Sequence, residues 1–186
     1  MWPDLWTVVG EADRARWDFA PLERVGPLRF GMSPQEAIAA MEVRGFTSDA
    51  VSQVGKVGPF EQLRTRFRAA DAPMYRVDVV AYYLGSKGLT CVVADALSGP
   101  QVSLDGIRLV GRLPSELSAE LGAYLEGSGR EASFTAEGDI GSEELGMIPR
   151  AQRAGDILLT RLILGRPDDW ANTMDDCIPA DEWRLN

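Results

Sequence analysis

The sequence predicts an α+β fold, built as two tandem helix-plus-antiparallel-sheet units that form one compact body. Three observations predict it. Two amphipathic helical stretches each open on a proline. The strands around them are short and punctuated by glycine turns, as in antiparallel meanders rather than βαβ crossovers. The entry to the first helix recurs at the second: Gly26, Gly31, Pro34 and Glu36 reappear eighty positions later as Gly106, Gly111, Pro114 and Glu116, both reading G-x4-G-x2-P-x-E. One helix on one face of a small sheet leaves apolar surface uncovered, and joining two such units covers it. The units run from 21 to 100 and from 101 to 166. An N-terminal segment, 1–20, precedes them, and an acidic tail, 167–186, follows and is expected to pack on the body.

The opening segment mixes Trp2, Trp6 and Trp17 with charges. The other tryptophans, Trp170 and Trp183, lie in the last seventeen residues. Indoles bury large areas and dominate interface hot spots. Two readings follow: both chain ends close over one body, or they present aromatic anchors to another protein.

Leu28-Arg29-Phe30 alternates like a short strand. Ser33 then reads as an N-cap, Pro34 as the first helical residue and Glu36 as the partner of a capping box. Ala37, Ile38 and Met41 give the helix its apolar face, and Gly45 ends it. Residues 51–59 are glycine-punctuated and read as a turn. From Leu63 to Ala69 the chain alternates Leu63, Thr65 and Phe67 against Arg64, Arg66 and Arg68, a half-exposed strand with an arginine face. Three arginines on one face suit an anion, and more often such arginines pair with acids on neighbouring strands. Tyr75–Leu84 and Leu89–Ala96 flank Gly85-Ser86-Lys87-Gly88 as a hairpin. Val102–Val110 reads as a strand broken at Asp105-Gly106. Leu117, Leu121, Tyr124 and Leu125 give the second helix its stripe, up to Gly127. Ala132–Ala136 and Ile157–Leu164 complete the strands, Leu145–Arg150 reads as a strand or a short turn, and Ala154-Gly155-Asp156 as a turn.

Composition narrows the chemistry. The 186 residues contain no histidine, so Ser-His-Asp, Cys-His and HExxH sites are excluded. Cys91 and Cys177 are too far apart for a local CxxC clip, and two cysteines suit a reducing cytoplasm. No metal or cofactor site is expected: GxxxxGK[ST] and GxGxxG are both absent. The two lysines, Lys56 and Lys87, sit beside glycines in turns. The start lacks a basic n-region and an apolar h-region, and no apolar run approaches the roughly 20 residues of a membrane span. The formal charge of −9 opposes nucleic-acid binding. Residues 113–186 carry fifteen acids against six arginines, and so hold the imbalance.

The stretch Leu28-Arg29-Phe30-Gly31-Met32-Ser33-Pro34-Gln35-Glu36-Ala37 resembles the I-x-x-G-M-[TS]-x-x-x-[VA] helix entry of the β-lactamase-inhibitor-protein and SmpA/OmlA group. The resemblance implies a helical unit packed on a sheet, repeated in tandem as in the inhibitors. The second copy has Arg112-Leu113 where the first has Met32-Ser33. Across its whole length the chain is also similar to small acidic actinobacterial proteins found among polymorphic-toxin immunity proteins.

The expectation is therefore a non-catalytic, cytoplasmic protein-binding protein, an immunity protein that occludes a toxin. Its partner would be a protein with a basic domain, met by Asp168, Asp169, Trp170, Asp175, Asp176 and Trp183. A second reading is a small-molecule or peptide-binding module using Arg64, Arg66 and Arg68 as an anion cradle. A third is a carboxylate-dependent hydrolase using Asp139, Glu143 and Glu144.

Overall fold

A computed structural model describes residues 5–135 and 137–166. The second unit's tail therefore lies outside the described residues, and with it all six expected partner contacts. The fold is α+β.

Both helix entries form as the sequence predicts. Strands β2 (Arg24–Val25) and β3 (Leu28–Arg29) make a tight hairpin around Gly26 and lead into α1 (Pro34–Glu42). Strands β9 (Gln101–Leu104) and β10 (Ile107–Arg108) do the same around Gly106 and lead into α2 (Pro114–Gly127). Gly26 and Gly106 both take positive φ, as do Gly31 and Gly111, so the repeated glycines stand at equivalent bends. The caps differ. In α1 the Glu36 backbone N–H donates to Ser33 Oγ at 3.3 Å, and the Ser33 N–H donates to Glu36 Oε2 at 2.8 Å. In α2 the N-cap is Leu113, which has no side-chain acceptor to offer.

Strand β1 (Arg16–Ala20) lies between the two entry hairpins, antiparallel to β2 and parallel to β9, in a five-stranded sheet ordered β10-β9-β1-β2-β3. The N-terminal segment is thus central to this small sheet, and Trp17 and Phe19 point into the core.

The main sheet is antiparallel. Its first half holds β4 (Phe46–Ser48), β5 (Ser52–Val57), β6 (Phe60–Ala69), β7 (Val79–Leu84) and β8 (Leu89–Ala94). The second half adds β13 (Met147–Ala154) and β14 (Ile157–Gly165), while the short β11 (Ser133–Phe134) and β12 (Ile140–Gly141) pair with each other. The order is β13-β14-β8-β7-β6-β4, with β5 sharing the β6 edge. The last strands of the two halves meet in mid-sheet, with Leu162 opposite Ala94 and Gly165 opposite Cys91.

The reading of 51–59 as a turn is corrected by β5. Its glycine and polar residues carry no strand signature, but the open backbone edge of β6 recruits it, with a register shift between Gln53 and Gly55. The strand expected from Tyr75 begins only at Val79, because a turn closed by the Arg76 N–H donating to the Pro73 carbonyl at 3.0 Å occupies the residues before it.

Alternation sorts the main sheet's faces. Phe67, Val79, Ala81, Tyr83, Val92 and Leu164 join one core with Met41 of α1, Leu121 of α2 and Trp17 and Val102 of the small sheet. The helices and the small sheet therefore share one side of the main sheet. The opposite side carries its own cluster of Tyr82, Cys91, Val93 and Ile163.

Candidate interaction site

One end of the main sheet holds a groove of about 400 Å³. Four segments distant in sequence build it: the strap Leu5–Val9, the β6–β7 loop, the turn after β8, and β13.

Its base is braced by polar groups that are partly or fully buried. The Asp95 carboxylate accepts from the Leu97 and Ser98 N–H groups at 2.8 and 3.1 Å, an Asx-type turn. Its other oxygen accepts from Gln152 Nε2 at 2.8 Å, and Gln152 Oε1 accepts from the Ala96 N–H at 3.1 Å. Asp95 and Gln152 thus lock the turn to β13. Arg14 lies beneath. Its guanidinium donates to the carbonyls of Gly99 at 2.6 Å, Ala96 at 2.8 Å, Leu97 at 2.9 Å and Val9 at 3.2 Å. Burial pushes its pKa down, and Glu11, Asp95 and Asp78 push it back up. The strap is fastened by the Val9 N–H donating to the Leu97 carbonyl at 2.7 Å.

The rim is aromatic and cationic. Trp6 is 47 % exposed, and the Arg153 guanidinium stands 5.2 Å from its ring centroid. Arg153 Nε also donates to the Gly155 carbonyl at 2.8 Å, which fixes the guanidinium. Tyr75 is 56 % exposed. Arg76 is held by Asp78 through contacts of 2.7 and 3.0 Å, while Asp78 also accepts from the Ala69 N–H at 2.7 Å. Tryptophan, tyrosine and arginine on a rigid base are the composition of binding hot spots.

The three predicted arginines do share a face of β6. Arg66 is exposed, and Arg68 pairs with Asp49 at 3.3 Å. In register, Arg66 leads a cross-strand row through Val80, Val93 and Ile163 to Ile148, and Arg64 leads another through Tyr82 and Cys91 to Gly165. The arginine face is therefore one border of the outer apolar cluster. Arg150 and Arg161, opposite each other on β13 and β14, border it on the other side.

Two of the three carboxylates considered for hydrolysis have other partners. Asp139 Oδ2 lies 3.5 Å from Arg150 Nε, and Glu137 lies 3.0 Å from the same guanidinium. Glu144 accepts from the Glu131 N–H at 3.5 Å. Among the described residues, no three histidine, cysteine, aspartate or glutamate side chains converge as a metal ion requires. No helix there is long and apolar enough to cross a membrane.

Of the predicted aromatic anchors, Trp6 reaches the groove and Trp17 is core. Trp2, Trp170 and Trp183 lie outside the described residues, as does Cys177. Sequence reasoning missed Arg14, Tyr75, Arg76, Asp95, Gln152 and Arg153. None of them sits in a motif, and only the closure of the fold brings them together.

No family model, no curated protein and no solved structure matches the chain.

Proposed function

We propose that the protein is a non-catalytic protein-binding protein, an immunity-type protein that neutralises a toxin in the cytoplasm by occluding it. The groove is its recognition element. One observation carries this reading: Trp6 and Tyr75, both half-exposed, stand with Arg76 and Arg153 around a concave site whose base is already braced. Such a site loses little side-chain freedom on association, so more of its contact energy remains as affinity.

Away from the cationic rim of the groove, the charge distribution supports a basic partner. Glu116, Glu120 and Glu126 on α2, with Glu131, Glu137, Glu143 and Glu144 around the β11–β12 hairpin, are all exposed. A field of this sign raises the association rate of a cationic domain and is screened by salt. The size of the groove also favours a second reading, a small-molecule or peptide-binding module, because about 400 Å³ falls within the range of small-ligand sites.

The test is titration calorimetry against the product of the adjacent gene, with the wild type and with Trp6→Ala. The expected loss on Trp6→Ala is about 2 kcal/mol or more, roughly thirtyfold in Kd. Association should also slow as salt rises. A complex that forms with unchanged Kd after both Trp6→Ala and Tyr75→Ala would refute the groove. Affinity of the groove for short peptides alone would favour the second reading.

A further inference from the structure

The burial of the main sheet's outer face is not explained by the groove. Tyr82 and Cys91 are 1 % and 0 % exposed, and Val93 and Ile163 are buried beside them. Every residue of this cluster, including its partly buried neighbours Val54, Val80 and Ile148, belongs to the main sheet itself. Both helices and the small sheet pack on the opposite side. A sheet face turned to water would leave side chains of this size accessible.

The borders of the face say what kind of cover fits. Arg64 and Arg66 stand on one side, and Arg150 and Arg161 face each other across β13 and β14 on the other. Arg150 and Arg161 are both buried. Like charges placed cross-strand in a buried setting need anions close by. Glu137 and Asp139 meet Arg150, and the charge of Asp95 acts on Arg161. An apolar stripe between cationic borders suits a segment with aromatic residues and a run of acids.

We infer that this face is the docking surface of the protein's own C-terminal segment, residues 167–186. The segment has that chemistry: six acids against one arginine, with Trp170, Ile178 and Trp183. It also starts in the right place. The chain leaves β14 at Gly165, directly opposite Cys91 and in the row that continues through Tyr82 to Arg64. From β14 to β6 is three strand spacings, about 15 Å. Twenty residues span about 30 Å as a helix and about 65 Å extended, so the segment is long enough to cross the face in either form. The acids expected to meet a partner are thereby assigned to the protein's own arginines.

The experiment uses the full chain carrying Cys177→Ala, so that Cys91 is the one remaining thiol, and follows its modification by a small thiol reagent under native conditions. The labelling rate then reports how often the cover opens. The comparison variant adds asparagine or glutamine at Asp168, Asp169, Asp175, Asp176, Asp181 and Glu182. Cys91 should label about tenfold faster or more in that variant, because several ion pairs are lost together. In the parent the rate should rise between about 0.05 M and about 0.5 M salt. Equal rates in parent and variant, with no salt dependence, would overturn the inference. An independent measurement keeps the acids intact: a nitroxide on Cys177 in a Cys91→Ala chain should broaden the amide signals of β7, β8 and β14 and spare those of β1 and β9. Broadening that is absent, or equal over both sheets, would also overturn it. Neither measurement involves a binding partner, so its outcome is separate from that of the groove.

Discussion

Replacing Arg14 with methionine should destabilise the whole protein and release the groove first. The guanidinium donates to four backbone carbonyls, on Val9, Ala96, Leu97 and Gly99, and is nearly inaccessible to water. Methionine keeps much of the apolar stem but none of the donors. At about 1 kcal/mol for each hydrogen bond, the four are worth about 4 kcal/mol. Relief from burying a cation returns about 1 kcal/mol of this. The net loss is about 3 kcal/mol, a large share of the roughly 5–15 kcal/mol that holds a typical domain together. For a chain of this size it corresponds to a fall in Tm of about 6–12 °C. Thermal unfolding followed by circular dichroism measures it. Lysine at the same position keeps the charge without the planar fork, so Arg14→Lys should recover only part of the loss. A Tm for Arg14→Met within about 2 °C of the parent would refute the reasoning, because it would mean that the carbonyls find other donors at no cost.

Two further perturbations test the core and its turns. Burial pushes the Tyr83 phenol up to about 12, whereas the unfolded chain ionises it near its ordinary value of 10. Below pH 10 both states keep the proton, so this contribution to stability is fully present. Between pH 10 and 12 the unfolded state loses the proton first, and stability falls by about 1.4 kcal/mol per pH unit. Urea midpoints measured across that window should flatten in Tyr83→Phe, and an unchanged slope would count against the buried phenol. Gly88 and Gly45 form a matched pair, with φ of 71° and 80°. A Cβ on Gly88 would collide with the Gly31 carbonyl, whereas one on Gly45 meets nothing within 4 Å. Gly45→Ala should therefore cost about 1 kcal/mol for the left-handed conformation alone, and Gly88→Ala at least about 3 kcal/mol. Denaturant titration of both variants checks the ranking, and equal losses would refute the close approach.

The sequence by itself determined the local pieces of this protein. Ser33, Pro34 and Glu36 set the start of α1 because a cap is made by residues three apart, with no help from the rest of the chain. The alternation of Leu63, Thr65 and Phe67 with the arginines set the two faces of β6 for the same kind of reason. The recurrence at Gly106 and Pro114 marked the second helix entry as a copy of the first. Tertiary structure decided everything that depends on which edge meets which. Nothing local pairs β8 with β14, or places Trp17 between two hairpins, because backbone edges are chemically alike and are matched only when the apolar faces find a common core. β5 is a strand because β6 offers it an edge, against its own glycine-rich composition. Leu89–Ala94 is buried on both faces, and nothing local says what lies over the outer one. The groove is the extreme case. Trp6, Tyr75, Asp95 and Arg153 carry no motif where they stand in the chain, and they become a site because four separate segments close at one end of a sheet.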